Sequence, residues 1–245
     1  MKKEEVIEYL YKTFEDYQLS GKIDKCPCGC IPDEDAQKIY SNSLRELTED
    51  DLGFYSGKAM TTWGSVDDYK HFLPRIIELY AFNRYNAWID LETIYNKLVY
   101  GEWAKWPDNE RHAILTFVRL NWDEFINQSV NEIGALEFDA YAKYLDFNEL
   151  LESWKFPENK VALQNFVEYV YLNGNDKIFG TKDVKINRVD RKTDLLNLMC
   201  RDKLQDSLEE EFFEVEQVDS EYAGKISVVL QMIENGLKKK DENGR

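Results

Sequence analysis

Lys105-Trp106-Pro107-Asp108-Asn109-Glu110 and, fifty residues on, Lys155-Phe156-Pro157-Glu158-Asn159-Lys160 are two versions of one phrase. A proline in the first turn loses no helical hydrogen bond, and an acid just after it meets the positive end of the helix dipole, so each copy marks a helix start. The apolar positions that follow also repeat: Ala113, Phe117 and Val118 match Ala162, Phe166 and Val167. Another helical segment precedes each copy, Leu91 to Glu102 in the first case and Ala140 to Trp154 in the second. The pattern predicts an all-α protein. It is either an array of helical hairpins, close to the ~40–47-residue period of HEAT-type repeats, or an irregular helical bundle whose helix starts coincide by chance.

Outward from this phrase the helical period continues to both ends. Val6, Leu10 and Phe14 recur every fourth residue, and Ile226, Leu230, Ile233 and Leu237 keep three-and-four spacing. Thr48 before Glu49-Asp50-Asp51 and Ser65 before Val66-Asp67-Asp68 place a hydroxyl cap ahead of first-turn carboxylates. Pro74 interrupts the apolar series Tyr69, Phe72, Leu73, Ile76 and Ile77, which predicts a kink or a restart near Leu73. One segment breaks the pattern: between residues 173 and 192 the turn Asn173-Gly174-Asn175-Asp176 and the loose alternation around Val184 and Ile186 predict a short irregular or β element. The expected organisation is a single helical domain over residues 1–238, with a frayed tail at 239–245.

Acidic side chains number 47 against 31 basic ones, a formal charge of −16, in a chain that is also 14% aromatic. So many large rings imply a core, and the charge must then cover its outside. An acidic surface repels nucleic acid and anionic lipid and attracts basic proteins and cations. No stretch approaches the ~20 apolar residues needed to span a bilayer, so the expected location is the cytoplasm. The acidity is uneven. Lys177, Lys182, Lys185, Arg188, Arg191 and Lys192 outnumber Asp183 and Asp190 in one local stretch, which could contact the acidic helix bearing Glu209, Glu210, Glu211 and Glu214. In that helix Leu204, Leu208, Phe212 and Val215 keep helical spacing, so the run reads as a solvated face rather than a disordered tail.

Cys26-Pro27-Cys28-Gly29-Cys30 is the sharpest local feature. Alternating thiols with Pro and Gly between them can fold around one soft cation, and zinc would need a fourth ligand. His71 is the first candidate, with Cys200, His112 and the Asp33-Glu34-Asp35 carboxylates beside it. The C-x-C-x-C spacing is not the common knuckle, so redox-sensing thiols and plain reduced cysteines remain open readings. His71 could equally act as a base paired with Asp67 or Asp68, or be an ordinary helix histidine. A phosphate-binding glycine loop, a dinucleotide fingerprint, an H-E-x-x-H helix and a G-x-S-x-G elbow are all missing from the sequence. No catalytic residues are therefore assigned.

The Cys-rich loop followed by Leu44-Arg45-Glu46-Leu47-Thr48, Thr61-Thr62-Trp63-Gly64 and His71-Phe72-Leu73-Pro74-Arg75 resembles a group of uncharacterised bacterial proteins. The resemblance covers about a fifth of the chain and implies a bacterial cytosolic protein, with no mechanism attached. Charge and the missing catalytic motifs together predict an acidic interaction module that meets a basic partner through Glu209, Glu210, Glu211 and Glu214, such as an inhibitor or immunity protein occupying the cationic groove of a toxin or nuclease. The alternative is a zinc-type metal-binding protein or enzyme centred on Cys26, Cys28, Cys30 and His71.

Overall fold

The structure is a computed structural model that describes residues 1–19, 21–82, 89–131, 135–174, 178, 185–186, 188–201 and 203–243. Among the described residues there are twelve α-helices and one two-stranded antiparallel sheet. The chain divides into two compact units, residues 1–120 and 121–245, where the sequence reading placed one domain over 1–238. No linker composition marks the division, because Phe117-Val118-Arg119-Leu120-Asn121-Trp122 carries no Pro, Gly or Ser.

The first unit is built on α4 (Val66–Phe82), which carries the buried Tyr69, Phe72, Leu73, Ile76 and Ile77. Against it packs α1 (Lys3–Thr13) through Val6, Ile7 and Leu10, the face that the four-residue spacing marked. Pro74 lies inside α4, and the expected restart does not occur: the helix is one element on both sides of it. Proline's fixed φ suits a helix, so its cost is one hydrogen bond and a local clash, and the fully buried residues around it offset that cost. Next come α2 (Asp33–Lys38) and α3 (Glu49–Lys58), then α5 (Leu91–Tyr100) and α6 (Asp108–Asn127). Both hydroxyl caps form as reciprocal boxes. Thr48 N–H donates to Asp51 at 2.7 Å and Ser65 N–H donates to Asp68 at 2.7 Å, while each hydroxyl accepts the return bond.

Buried Trp63 braces α3 and α4, lying edge-on to Tyr55, whose ring in turn meets Phe72. Gly64 follows at φ +77°, and a Cβ there would stand 2.7 Å from Ile23 Cγ2 and 3.1 Å from Asp68 Oδ2. Gly64→Ala is therefore expected to cost about 1–3 kcal/mol from left-handed strain and crowding together. Chemical denaturation of the two proteins measures this; an unchanged midpoint would show that the turn relaxes freely.

The second unit begins at Asn121 and holds a ring-dense core in which Trp122, Phe138, Trp154, Phe156, Phe166 and Tyr169 are all buried. Its helices are α7 (Ala135–Tyr141), α8 (Phe147–Glu152), α9 (Lys160–Asn173), α10 (Lys192–Leu198), α11 (Leu204–Val215) and α12 (Ser220–Asn243). The segment expected to run unbroken from Ala140 to Trp154 is interrupted between α7 and α8, where Asp146 caps α8 by accepting from Asn148 N–H at 2.8 Å. Buried Asn165 donates to the carbonyls of Ile126 and Ser129, at 3.0 and 2.7 Å, and accepts from Asn131 N–H at 2.8 Å. Arg201 donates to the carbonyls of Leu151, Trp154 and Phe156 and lies over the Phe156 ring. Such donors satisfy loop carbonyls that helix bonding leaves open.

The expected β element is present as β1 (Lys185–Ile186) and β2 (Val189–Asp190), with Lys185 opposite Asp190 and Ile186 opposite Val189. Lys177, Lys182, Asp183 and Val184 lie outside the described residues, as do the side chains of Leu237 and of residues 239–243. The backbone of α12 continues through Asn243, so the helix does not stop at 238.

The two copies of the repeated phrase start helices differently. Pro107 immediately precedes α6 and its carbonyl accepts from Arg111 N–H, whereas α9 begins only at Lys160, after a turn capped by Asn159. All six matched apolar side chains, from Ala113 to Val167, are nevertheless buried.

Candidate metal centre

The cysteine loop hangs from the Trp63 turn by main-chain bonds. Cys26 N–H donates to Thr62 O at 2.8 Å and Gly64 N–H donates to Asp24 O at 2.8 Å, while Lys25 pairs with Trp63 as an isolated bridge. Pro27 and Cys28 then form the turn, and Gly29 at φ +75° reverses the chain in a conformation that side chains with a Cβ resist. Lys25 closes the loop from the other side: its ammonium donates to Ile31 O at 3.3 Å and pairs with Asp33 in the first turn of α2.

This backbone brings the Sγ atoms of Cys26, Cys28 and Cys30 within 4.8 Å of one another. The Cys26 and Cys28 sulfurs are 2.8 Å apart, and Cys28 N–H points at Cys26 Sγ from 3.4 Å. All three are free thiols, with Cys28 exposed and the other two half-buried. The Cys26 thiol, followed by the thiol and N–H of Cys30, stabilises charge on Cys28 and lowers its pKa to about 7. Cys30 shifts the opposite way, upward, because its thiol donates to Cys28 and because neighbouring thiolate charge opposes its own ionisation. Near neutral pH Cys28 is therefore the partly ionised member of a pair whose other member, Cys30, stays a thiol.

A tetrahedral ion with ~2.3 Å bonds to sulfur needs sulfurs about 3.8 Å apart. The three sulfurs lie within 4.8 Å of one another, and the Cys26–Cys28 pair, at 2.8 Å, has to open by roughly 1 Å on the same geometry. Side-chain rotation in an exposed turn supplies such a change without moving a packed element.

His71 does not join this group. Its Nδ1 lies 2.7 Å from Tyr17 O, beside a cavity of about 490 Å³ lined by Tyr11, Ser43, Arg45 and Pro74. His112 stacks edge-on against Tyr9. Cys200 belongs to the second unit, where its thiol faces Leu196 O at 3.6 Å. Asp33 is held by Lys25, and Asp35 by Lys38 at 2.8 Å. Of the four residues expected to ligate, Cys26, Cys28 and Cys30 lie together and His71 lies apart; Lys25, which closes the loop, had no sequence signal beyond a cation adjoining the first cysteine.

The acidic helix α11 is placed as its spacing predicts, with Leu204 and Leu208 buried. Glu211 and Glu214 pair with Lys160 of α9, so among the described residues their cation comes from α9 and not from the 185–192 segment. Glu209 and Glu210 are exposed on the outer face beside Phe213, which is 69% exposed.

No protein-family model, curated protein or solved structure matches this chain. Among the described residues no helix is long and apolar enough to cross a membrane.

Proposed function

We propose that this protein binds a soft cation, zinc in the first instance, through Cys26, Cys28 and Cys30. The convergence of three free sulfurs within 4.8 Å on a loop clamped at both ends carries the reading. Thiolates select zinc or monovalent copper over hard cations, and the pre-bent loop lowers the ordering cost of binding. Reduced cysteines of this kind accord with the cytoplasmic setting expected from the sequence. Zinc titration of reduced protein, monitored with a competing chromophoric chelator, is the test. The expected result is one ion per chain, lost in the Cys26→Ser/Cys28→Ser/Cys30→Ser variant; equal binding by that variant refutes the site.

A second reading rests on a separate observation, the outer face of α11. Asp206, Glu209 and Glu210 have no cationic partner among the described residues, and they precede the exposed Phe213 by about two turns and one turn on α11. An aromatic anchor flanked by carboxylates suits a protein partner whose apolar socket is bordered by Lys or Arg, the arrangement an inhibitor of a basic toxin or nuclease would use. Phe213→Asp is expected to abolish capture of the basic partner from the native host while leaving the circular dichroism unchanged. Charge-only replacement, Glu209→Gln with Glu210→Gln, should weaken capture and flatten its salt dependence. Undiminished capture by both variants would move the partner surface elsewhere.

A further inference from the structure

We infer that the ion held by Cys26, Cys28 and Cys30 keeps one coordination position open to solvent, and that this position accepts an exogenous soft donor, a low-molecular-weight thiolate. The inference rests on the metal-binding reading above and specifies what that site does with its fourth position.

Three observations lead to it. The first is the ligand count. Only the three cysteines form a ligand group among the described residues, and the residues of the first unit outside that description, 20 and 83–88, include no Cys, His, Asp or Glu. The second is that several donors near the loop are engaged, Asp33 by Lys25, Asp35 by Lys38 and His71 at Tyr17 O, which leaves Asp24 and Glu34 as the nearby carboxylates for the experiment to test. The third is access. Cys28 at the tip of the loop is exposed, so an ion seated on the three sulfurs has the chain behind it and water in front.

Three protein ligands with a fourth place left to a small molecule is the arrangement of reactive rather than structural zinc sites. The chemistry of the incoming donor follows from what is already there. Three thiolates favour a soft ion, and a soft ion favours a soft fourth ligand. Three thiolates on a divalent ion leave one net negative charge, which discourages an anion in general. Two cations, Lys25 and the exposed Lys22, stand on the same flank, both close enough to stabilise the charge of Asp33. They offset the repulsion where a thiolate would enter. Binding forms one metal–sulfur bond and displaces one water, the thiol proton passing to solvent, with no change of oxidation state.

Cobalt(II) is a suitable probe because its visible absorption reports the number of thiolate ligands. The full-length chain, reduced with a phosphine so that no thiol is present, is loaded with one equivalent of cobalt and titrated with 2-mercaptoethanol, then separately with imidazole. The expected result is a saturable rise in sulfur-to-metal charge transfer at one thiol per ion, with a ternary mass in native mass spectrometry. Asp24→Asn and Glu34→Gln, which remove the two carboxylates nearest along the chain that have no ion-pair partner among the described residues, should each leave the starting spectrum unchanged.

An unresponsive spectrum with the metal retained would mean that a protein group fills the fourth position, and a changed Asp24→Asn or Glu34→Gln spectrum would name it; either overturns the inference. Extraction of the metal by the thiol, or a response to imidazole with none to thiol, overturns it as well. Failure of the underlying reading looks different, since no charge-transfer band would then develop on adding cobalt at all.

Discussion

Lys70→Met is expected to destabilise the protein by about 3–5 kcal/mol, because it strands Glu110 as a buried charge without its partner. The two side chains are only 6% and 5% exposed, with the Lys70 ammonium 2.7 Å from Glu110 Oε2. Tyr17 completes the group, its hydroxyl donating to Glu110 Oε1 at 2.6 Å and accepting from Lys70 at 2.9 Å, while the Trp106 ring lies 4.4 Å from the ammonium. Burial alone disfavours the charged lysine. Its hydrogen bonds with Glu110 and Tyr17 outweigh that and hold its pKa above the ordinary lysine value.

The sign of the pH dependence follows. A folded-state pKa raised above the unfolded value of ~10.4 stabilises the protein fully below that pH, and the contribution is lost as pH rises through the folded value. The gap between the two proteins should therefore be full at neutral pH and narrow as pH rises through the folded-state lysine value. Thermal unfolding across pH measures it, and the double variant Lys70→Met/Glu110→Leu should recover most of the loss because neither charge is then buried. A single variant within about 1 kcal/mol of the parent would mean that water reaches Glu110 and that the pair is not the keystone of this core.

That ion pair was invisible in the sequence, and the reason separates what could be read from what could not. Thr48 with Asp51, and Ser65 with Asp68, are contacts three residues apart, so the spacing alone specifies them. The buried face of α1 and the six matched apolar positions behind the repeated phrase are likewise local periodicities. Lys70 and Glu110 stand forty residues apart on helices that each look amphipathic without them. The break between α7 and α8 has a signal of its own: Asp146 stands three residues before Glu149, a cap inside what reads as one helical segment from Ala140 to Trp154. The cysteine loop was legible for the same reason as the caps, because its three donors lie within five residues. His71 is the opposite case. It shares a motif-rich stretch with the loop, yet its position within α4 does not bring its ring into the group of three sulfurs, and its Nδ1 lies instead 2.7 Å from Tyr17 O.

The largest expected effect on binding is that of Cys28→Ser, which should weaken zinc or cobalt affinity by roughly 10³-fold. Structural zinc sites bind with about 10–16 kcal/mol from four ligands, so one thiolate of three accounts for several of those kcal/mol. Among the three thiols Cys28 also starts closest to the reactive form, with its pKa drawn down to about 7 by the Cys26 and Cys30 donors. Metal must displace whatever protons the thiols still hold. Cys30 is protonated throughout the neutral range because its pKa is raised, so affinity should climb at least about tenfold per pH unit from this group alone. Below about pH 7 Cys28 becomes protonated too, and the dependence should steepen by another factor of ~10 per unit. Cys28→Ser removes that steepening along with the affinity, since serine has no proton to lose in this range. Cys30→Ser should instead flatten the slope above pH 7 and keep the break near it. A slope that ignores both substitutions would show that the metal is taken up through groups other than these sulfurs. A slope altered only by Cys28→Ser would show that Cys30 supports the thiolate without itself binding the ion, which makes the loop a two-thiolate site with a donor thiol behind it.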